Sequence, residues 1–185
     1  IASCLVGSEM CIRDRITPPF VLAWVANFCQ FLVFYLFVTT MALYAVESFG
    51  ASDTVGGFAS SAFVLGATCM RVFSGWIVDR VGHKKAALAS LAFVTLVAVA
   101  YFFAHNVAVL IIVRMVHGAG YALTSTALMA VAQSVIPHER RAEGTGYFAL
   151  GTTLATAFGP AIGLLLANNI GYTTLFAVAL GANIV

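Results

Sequence analysis

The chain has 185 residues, of which 62% are apolar and only 9% charged, with a formal net charge of +2. That apolar share and a mean hydropathy of +1.00 exceed what a soluble domain of this length carries. They exclude a soluble globular domain, and so small a net charge provides no basic face for nucleic acid.

The first residues are read apart from the rest. Leu5 to Arg15 (Leu-Val-Gly-Ser-Glu-Met-Cys-Ile-Arg-Asp-Arg) resembles an in-frame translation of a transposase-type sequencing adaptor. Residues 1–15 are therefore left out of fold reasoning, the alternative being a genuine cytoplasmic tail. With Ile1 at the start and a hydrophobic run at the end, the frame reads as clipped on both sides. Setting the segment aside removes Cys4 and Cys11. Cys29 and Cys69 remain inside hydrophobic spans, without metal-ligand spacing, and are expected to be packing residues. No metal and no cofactor is expected.

Uncharged runs extend over Ile16 to Val46, Thr54 to Met70, Ala86 to Val113, Met115 to Pro137 and Gly144 to Val185. A spanning helix needs about 20 apolar residues, so each run accommodates one. The polar breaks at Glu47 to Asp53, Asp79 to Lys85, His105-Asn106, Pro137 to Glu143 and Asn168 to Gly171 divide them. The predicted helices cover 19–46, 54–79, 84–104, 107–135, 142–167 and an incomplete 172–185. Cations in short loops are retained on the cytoplasmic side. The loops carrying Arg80, Lys84, Lys85 and Arg140, Arg141 are therefore expected inside, together with the N-terminus. No cleaved signal peptide is visible, and the first span serves as its own insertion signal.

On the first helix, Asn27 and Gln30 stand one turn apart, with Tyr35 and Thr39 further along. They either line a cavity or make interhelical hydrogen bonds worth about 0.6 kcal/mol each. On the second, Arg71 is an intramembrane cation, assigned to a cytoplasmic gate or to snorkelling toward water or lipid phosphate, and not to substrate.

The stretch Gly75-Trp-Ile-Val-Asp-Arg-Val-Gly-His-Lys-Lys85 resembles the signature loop of the major facilitator superfamily, G-x-L-a-D-R-x-G-R-K. Gly75, Asp79, Arg80, Gly82 and Lys84 match, and His83 replaces the usual arginine. Gly75 removes a side chain where another helix crosses, Asp79 ends the second helix, and Gly82 permits the tight turn. The resemblance implies that Asp79 faces the positive N-terminal end of a helix from the other half of the protein and holds the cytoplasmic side shut. A merely topogenic cationic loop would explain Arg80 and Lys84 but not the spaced glycines and aspartate.

Leu110 to Ala122 resembles the same family's fourth-helix motif, l-x-x-x-R-x-x-q-G-x-G-x-A, with His117 where glutamine is usual. A cation near the bilayer centre costs about 2.5 to 3.5 kcal/mol on insertion scales. Arg114, His117 and Tyr121 share one helical stripe, expected to face an aqueous cavity, while Gly118 and Ala122 admit a neighbouring backbone. The resemblance implies proton coupling at Arg114, with His117 beside it a residue type that titrates near neutral pH. The alternative is a snorkelling arginine and a histidine hydrogen-bonded in the bundle.

On the fifth helix, Gly146, Ala155, Gly159, Pro160 and Gly163 resemble the family's antiporter motif, G-x8-G-x3-G-P-x2-G-G, with Ala155 and Leu164 in place of two glycines. Pro160 is expected to kink the helix beside a close-packed stripe; an ordinary kinked membrane helix is the alternative.

By resemblance the chain is an all-α membrane protein, the six-helix N-terminal bundle of a twelve-helix major facilitator fold, built of two inverted three-helix repeats and truncated in helix 6. Gly171-Tyr172 occupies the second repeat's counterpart of the signature loop. The resemblance implies a multi-pass protein of the bacterial inner membrane and a secondary transporter working by alternating access. Proton-coupled efflux of lipophilic small molecules or drugs is the leading expectation. The alternatives are a proton-coupled metabolite, sugar or siderophore transporter, or a non-transporting receptor or scaffold. Its partners would be the lipid bilayer, a small-molecule substrate, protons and the missing six-helix half. An apolar, aromatic cavity would suit lipophilic, cationic molecules better than sugars. With no embedded carboxylate in this half, a proton carrier must be His117 or lie in missing sequence. A phosphate loop for an ATP-driven pump is absent, and His105, His138, Asp53, Glu139 and Glu143 lie in loops, which speaks against an enzyme.

Overall fold

A computed structural model describes residues 17–184, which form six α-helices. They are α1 (Pro18–Phe49), α2 (Asp53–Val81), α3 (His83–Ala100), α4 (Val107–Val135), α5 (Arg141–Asn169) and α6 (Tyr172–Ile184), with 3₁₀ turns at Tyr101–Phe103 and His138–Arg140. No strand occurs among the described residues. Five helices are long and apolar enough to cross a membrane, and α6 is a shorter apolar helix. The adaptor-like segment lies outside the described residues.

Helix limits follow backbone stops more closely than charges. α1 runs past Val46 through Glu47 to Phe49, because Gly50 takes the left-handed conformation (φ 61°) and Ala51 N–H donates back to the Ala45 carbonyl at 3.3 Å. α2 continues two residues beyond Asp79, the expected end, to Val81. Gly82, at φ 93°, then joins α2 to α3 as the only residue between them, a conformation that favours glycine. Expected as one helix to Ala104, the third span ends its α-helical part at Ala100 and tightens into a 3₁₀ turn. Side chains start two of the helices: Ser52 Oγ accepts from Val55 N–H at 3.4 Å, and Asn106 Oδ1 from Val109 N–H at 2.9 Å.

The start of α3 opposes its own dipole. His83, Lys84 and Lys85 fill the first turn, where cations are disfavoured by about 0.3–1 kcal/mol each. Asp79 answers His83 across the glycine turn, with Oδ1 3.9 Å from Nε2. These loop cations are thus retained against local helix electrostatics.

Two helix pairings dominate the bundle, α2 with α4 and α1 with α5. They interchange when α1, α2, α3 are exchanged for α4, α5, α6, the relation expected of two three-helix repeats. The turns follow the same rule: Gly82 between α2 and α3 and Gly171 (φ 103°) between α5 and α6 both have positive φ. Small residues let the backbones approach. A Cβ on Gly118 would fall on the Phe63 carbonyl oxygen, and one on Gly66 on the Met115 backbone. On the other pair, a Cβ on Gly159 would meet Tyr35 Cβ at 2.6 Å, and one on Gly163 the Leu36 carbonyl at 2.9 Å. Large apolar side chains meanwhile point outward, Val72 at 77% and Leu88 at 70% exposure among them. An inside-out distribution of this kind suits a hydrocarbon solvent.

Candidate functional site

Arg114 on α4 is wholly buried, at 0% exposure. Because Gly118 brings α2 close, the guanidinium reaches across the helix pair. Its Nη2 donates to the Ser60 carbonyl at 2.9 Å and its Nε to the Ala59 carbonyl at 3.4 Å. The Phe63 and Phe37 rings lie 4.9 and 5.8 Å from its carbon centre. Nη1 makes no hydrogen bond to the described residues. Every described carboxylate sits at a helix end, so carbonyl dipoles and aromatic faces stabilise this cation in place of a carboxylate counter-ion.

One turn along α4, His117 is 1% exposed, with Nδ1 2.9 Å from the Tyr101 hydroxyl. The Phe63, Phe37 and Tyr101 rings surround it edge-on, with centroids 5.3 to 6.2 Å away. The expectation of a stripe facing an aqueous cavity is therefore corrected for Arg114 and His117. Aromatic side chains from α1, α2 and the 3₁₀ turn fill the space, and the pair forms a polar spine inside the bundle.

Tyr121, further along that stripe, does reach open space. With Phe34, Phe63, Val64, Ala67, Thr68 and Arg71 it lines a cavity of about 290 Å³. Phe34, Ala67 and Tyr121 lie at the middle of α1, α2 and α4 respectively, so the cavity is at mid-span. Among the described residues Arg71 is the only charged side chain in its lining. It sits one turn from Ala67, with Nη2 3.5 Å from Ser125 Oγ, a distance at the limit of a hydrogen bond. Arg71 is exposed and, one turn from the helix centre, lines the mid-span cavity.

Among the other predicted residues, Gln30 is displaced from the cavity. Its Nε2 donates to Asn183 Oδ1 on α6 at 2.8 Å, the interhelical alternative. Asn27 is buried with Nδ2 unpartnered among the described residues, and Thr39 bonds to carbonyls of its own helix. In the signature loop, Gly75 and Asp79 lie one turn apart on an exposed face of α2, and a Cβ on Gly75 would meet nothing within 4 Å. Arg80 lies over the Trp76 ring at 5.3 Å, and Lys84 is exposed. On α5, Ala155, Gly159 and Gly163 are buried against α1, Gly146 faces open space, and the helix is continuous through Pro160.

Residues that the sequence reading passed over supply much of the site: Phe34, Phe37, Phe63, Thr68, Tyr101 and Asn183. In a chain with 12% aromatic residues, a ring facing lipid and a ring facing a cation have the same local signature. Asn183 was detectable, since an amide late in an apolar run carries a cost that a buried partner must offset.

Comparison with known proteins adds an independent test. The chain is 31% identical over 133 residues to the Staphylopine export protein of Staphylococcus aureus, an alignment covering 71% of the chain and 32% of that protein. It is 30% identical over 161 residues to the Multi-drug resistance efflux pump PmrA of Streptococcus pneumoniae, covering 84% of the chain and 39% of the pump. An uncharacterized protein of Mycobacterium bovis is 35% identical over 108 residues. The chain thus spans between a quarter and two fifths of the length of these curated relatives, 26% to 39%. The family model described as Major Facilitator Superfamily matches residues 23–185, nearly all of the six-helix bundle, and the chain belongs to that superfamily.

Proposed function

We propose that this bundle is the N-terminal half of a secondary transporter that exports lipophilic small molecules by alternating access, coupled to protons. The mid-span cavity between α1, α2 and α4 carries the reading, since transporters of this architecture bind substrate near the bilayer midplane at the repeat interface. The efflux names of two relatives support the direction. A second six-helix half would complete the cavity, in keeping with the share of each relative that the chain covers. No chemical conversion is assigned. The loop cations support a cytoplasmic N-terminus, and the bacterial relatives support an inner-membrane location.

In this reading the exposed face of Gly75 and Asp79 is a docking surface for the second half on the cytoplasmic side. The Arg114 and His117 spine, with Arg114 bonded to α2 and His117 to the 3₁₀ turn after α3, couples protonation to the packing of these elements on α4. The test uses the full-length protein in inside-out vesicles, with the uncharged lipophilic dye Nile red as the exported probe. Export should require a proton gradient and cease with a protonophore. Asp79→Asn should impair it while membrane insertion stays intact. Full export by that variant would remove the gate assignment, and export indifferent to the protonophore would remove the coupling.

A further inference from the structure

The chemistry of the cavity wall points away from cations. We propose that the mid-span cavity binds amphipathic anions, molecules that combine an aromatic or lipophilic body with a carboxylate or comparable acidic group, with Arg71 as the anion-recognising side chain. The inference rests on the transporter reading and names its substrate class.

Three observations converge. First, among the described residues that line the cavity Arg71 is the only charged one, and none is a carboxylate. A cationic guest would meet a guanidinium without a compensating anion, whereas an acidic guest would find charge-assisted hydrogen bonds in a fork that matches a carboxylate. Second, Arg71 is weakly engaged. Its contact to Ser125 Oγ is 3.5 Å long, in contrast with Arg114, whose Nη2 is bound to a carbonyl at 2.9 Å. Third, the rest of the wall is aromatic and small: Phe34, Phe63 and Tyr121 form a mutually packed cluster with ring centroids 5.0 to 5.6 Å apart. Thr68 and the Tyr121 side chain add polar groups beside the guanidinium.

Position strengthens the argument. A cation near mid-span is costly in hydrocarbon and persists where it faces a cavity or a partner. Arg71, one turn from the centre of α2, faces the cavity. The two intramembrane arginines therefore have different tasks: Arg114 is consumed inside the bundle, and Arg71 remains available to a guest.

The test measures equilibrium binding to the full-length protein in lipid nanodiscs, using three probes that share a naphthyl body and carry a negative, neutral or positive substituent: tritiated 2-naphthoate, with 2-naphthamide and 2-naphthylmethylammonium as competitors. Wild type should bind 2-naphthoate about tenfold more tightly than either competitor, and Arg71→Gln should bring the three within about twofold. Arg71→Lys should keep the order of preference, and unchanged 2-naphthamide affinity in Arg71→Gln would show the cavity intact. Equal affinities in wild type, a preference for the ammonium, or a naphthoate preference that survives Arg71→Gln would each overturn the proposal. Pairing of Arg71 with a carboxylate from the second half would yield the first of these.

Flux of the same probes in proteoliposomes separates the two readings. Flux without charge preference rejects the anion site and leaves the transporter standing. An Arg71-dependent binding preference without flux does the reverse.

Discussion

The α2–α4 and α1–α5 pairs occupy equivalent places in the two repeats, yet they are held together differently. Both run parallel: contacts rise along the chains from Ser60–Arg114 to Ser74–Thr126 in one, and from Trp24–Tyr147 through Leu36–Gly163 in the other. In α2–α4 the close approach is reciprocal, with Gly66 and Gly118 on opposite helices, and a buried arginine bonds across it. In α1–α5 the glycines at the contact, Gly151, Gly159 and Gly163, all come from α5, and among the described residues the side-chain hydrogen bond across it is Trp24 Nε1 to the Tyr147 carbonyl at 3.0 Å. Equivalent topology therefore leaves room for one clamped crossing and one smooth crossing, and the clamped one borders the cavity.

The largest effect expected from breaking this contrast is at Gly118. Gly118→Ala places a methyl on the Phe63 carbonyl oxygen, which cannot rotate away, and should destabilise the full-length protein by at least about 3 kcal/mol in a chemical-denaturation titration. Next comes Arg114. Arg114→Met removes a buried charge that has no carboxylate counter-ion, so stability should stay within about 1 kcal/mol of wild type or rise. Proton-driven export in vesicles should nevertheless fall by about tenfold, the behaviour of a functional intramembrane cation. Loss of folding with no specific loss of export would make Arg114 a structural clamp only.

On the smooth crossing, Gly159→Ala meets the Tyr35 Cβ at 2.6 Å, an overlap with a backbone-fixed atom that is shallower than the one at Gly118, so a small shift of α1 against α5 absorbs part of the strain. A cost of about 1 kcal/mol is expected by the same titration. If it equals the cost of Gly118→Ala, the distinction between the crossings fails. Smallest of all is Gly146→Ala: nothing lies within 4 Å of the new methyl, and stability should move by less than about 0.5 kcal/mol. A large loss there would mean that Gly146 meets the second half of the protein.

Much of the fold was legible because its signals are local. Length and hydropathy of the uncharged runs yield the spans, and the one-residue turn at Gly82 follows from a glycine between charged helix ends. The motif around Gly75 to Lys84 and the arginine motif at Arg114 to Ala122 brought the superfamily into view, and the match over residues 23–185 bears out the family. Limits were read less well where charge was used as the marker: Glu47 is helical and α2 runs on past Asp79 through Arg80 to Val81, because a helix stops where its backbone is capped or turned.

The direction in which a side chain points was not legible. Sequence by itself determined that costly polar groups sit inside the span, namely Arg71, Arg114, His117, Gln30 and Asn27. Spacing put Arg114, His117 and Tyr121 on one stripe but not what that stripe faces. Only tertiary packing decided that Gly118 and Gly66 draw α2 onto α4, that Phe37, Phe63 and Tyr101 close over Arg114 and His117, and that Arg71 opens into the cavity. The physical reason is that hydropathy is a property of each residue in its solvent. Whether an arginine becomes a clamp or a binding group depends on which neighbouring helix approaches closely enough to satisfy it.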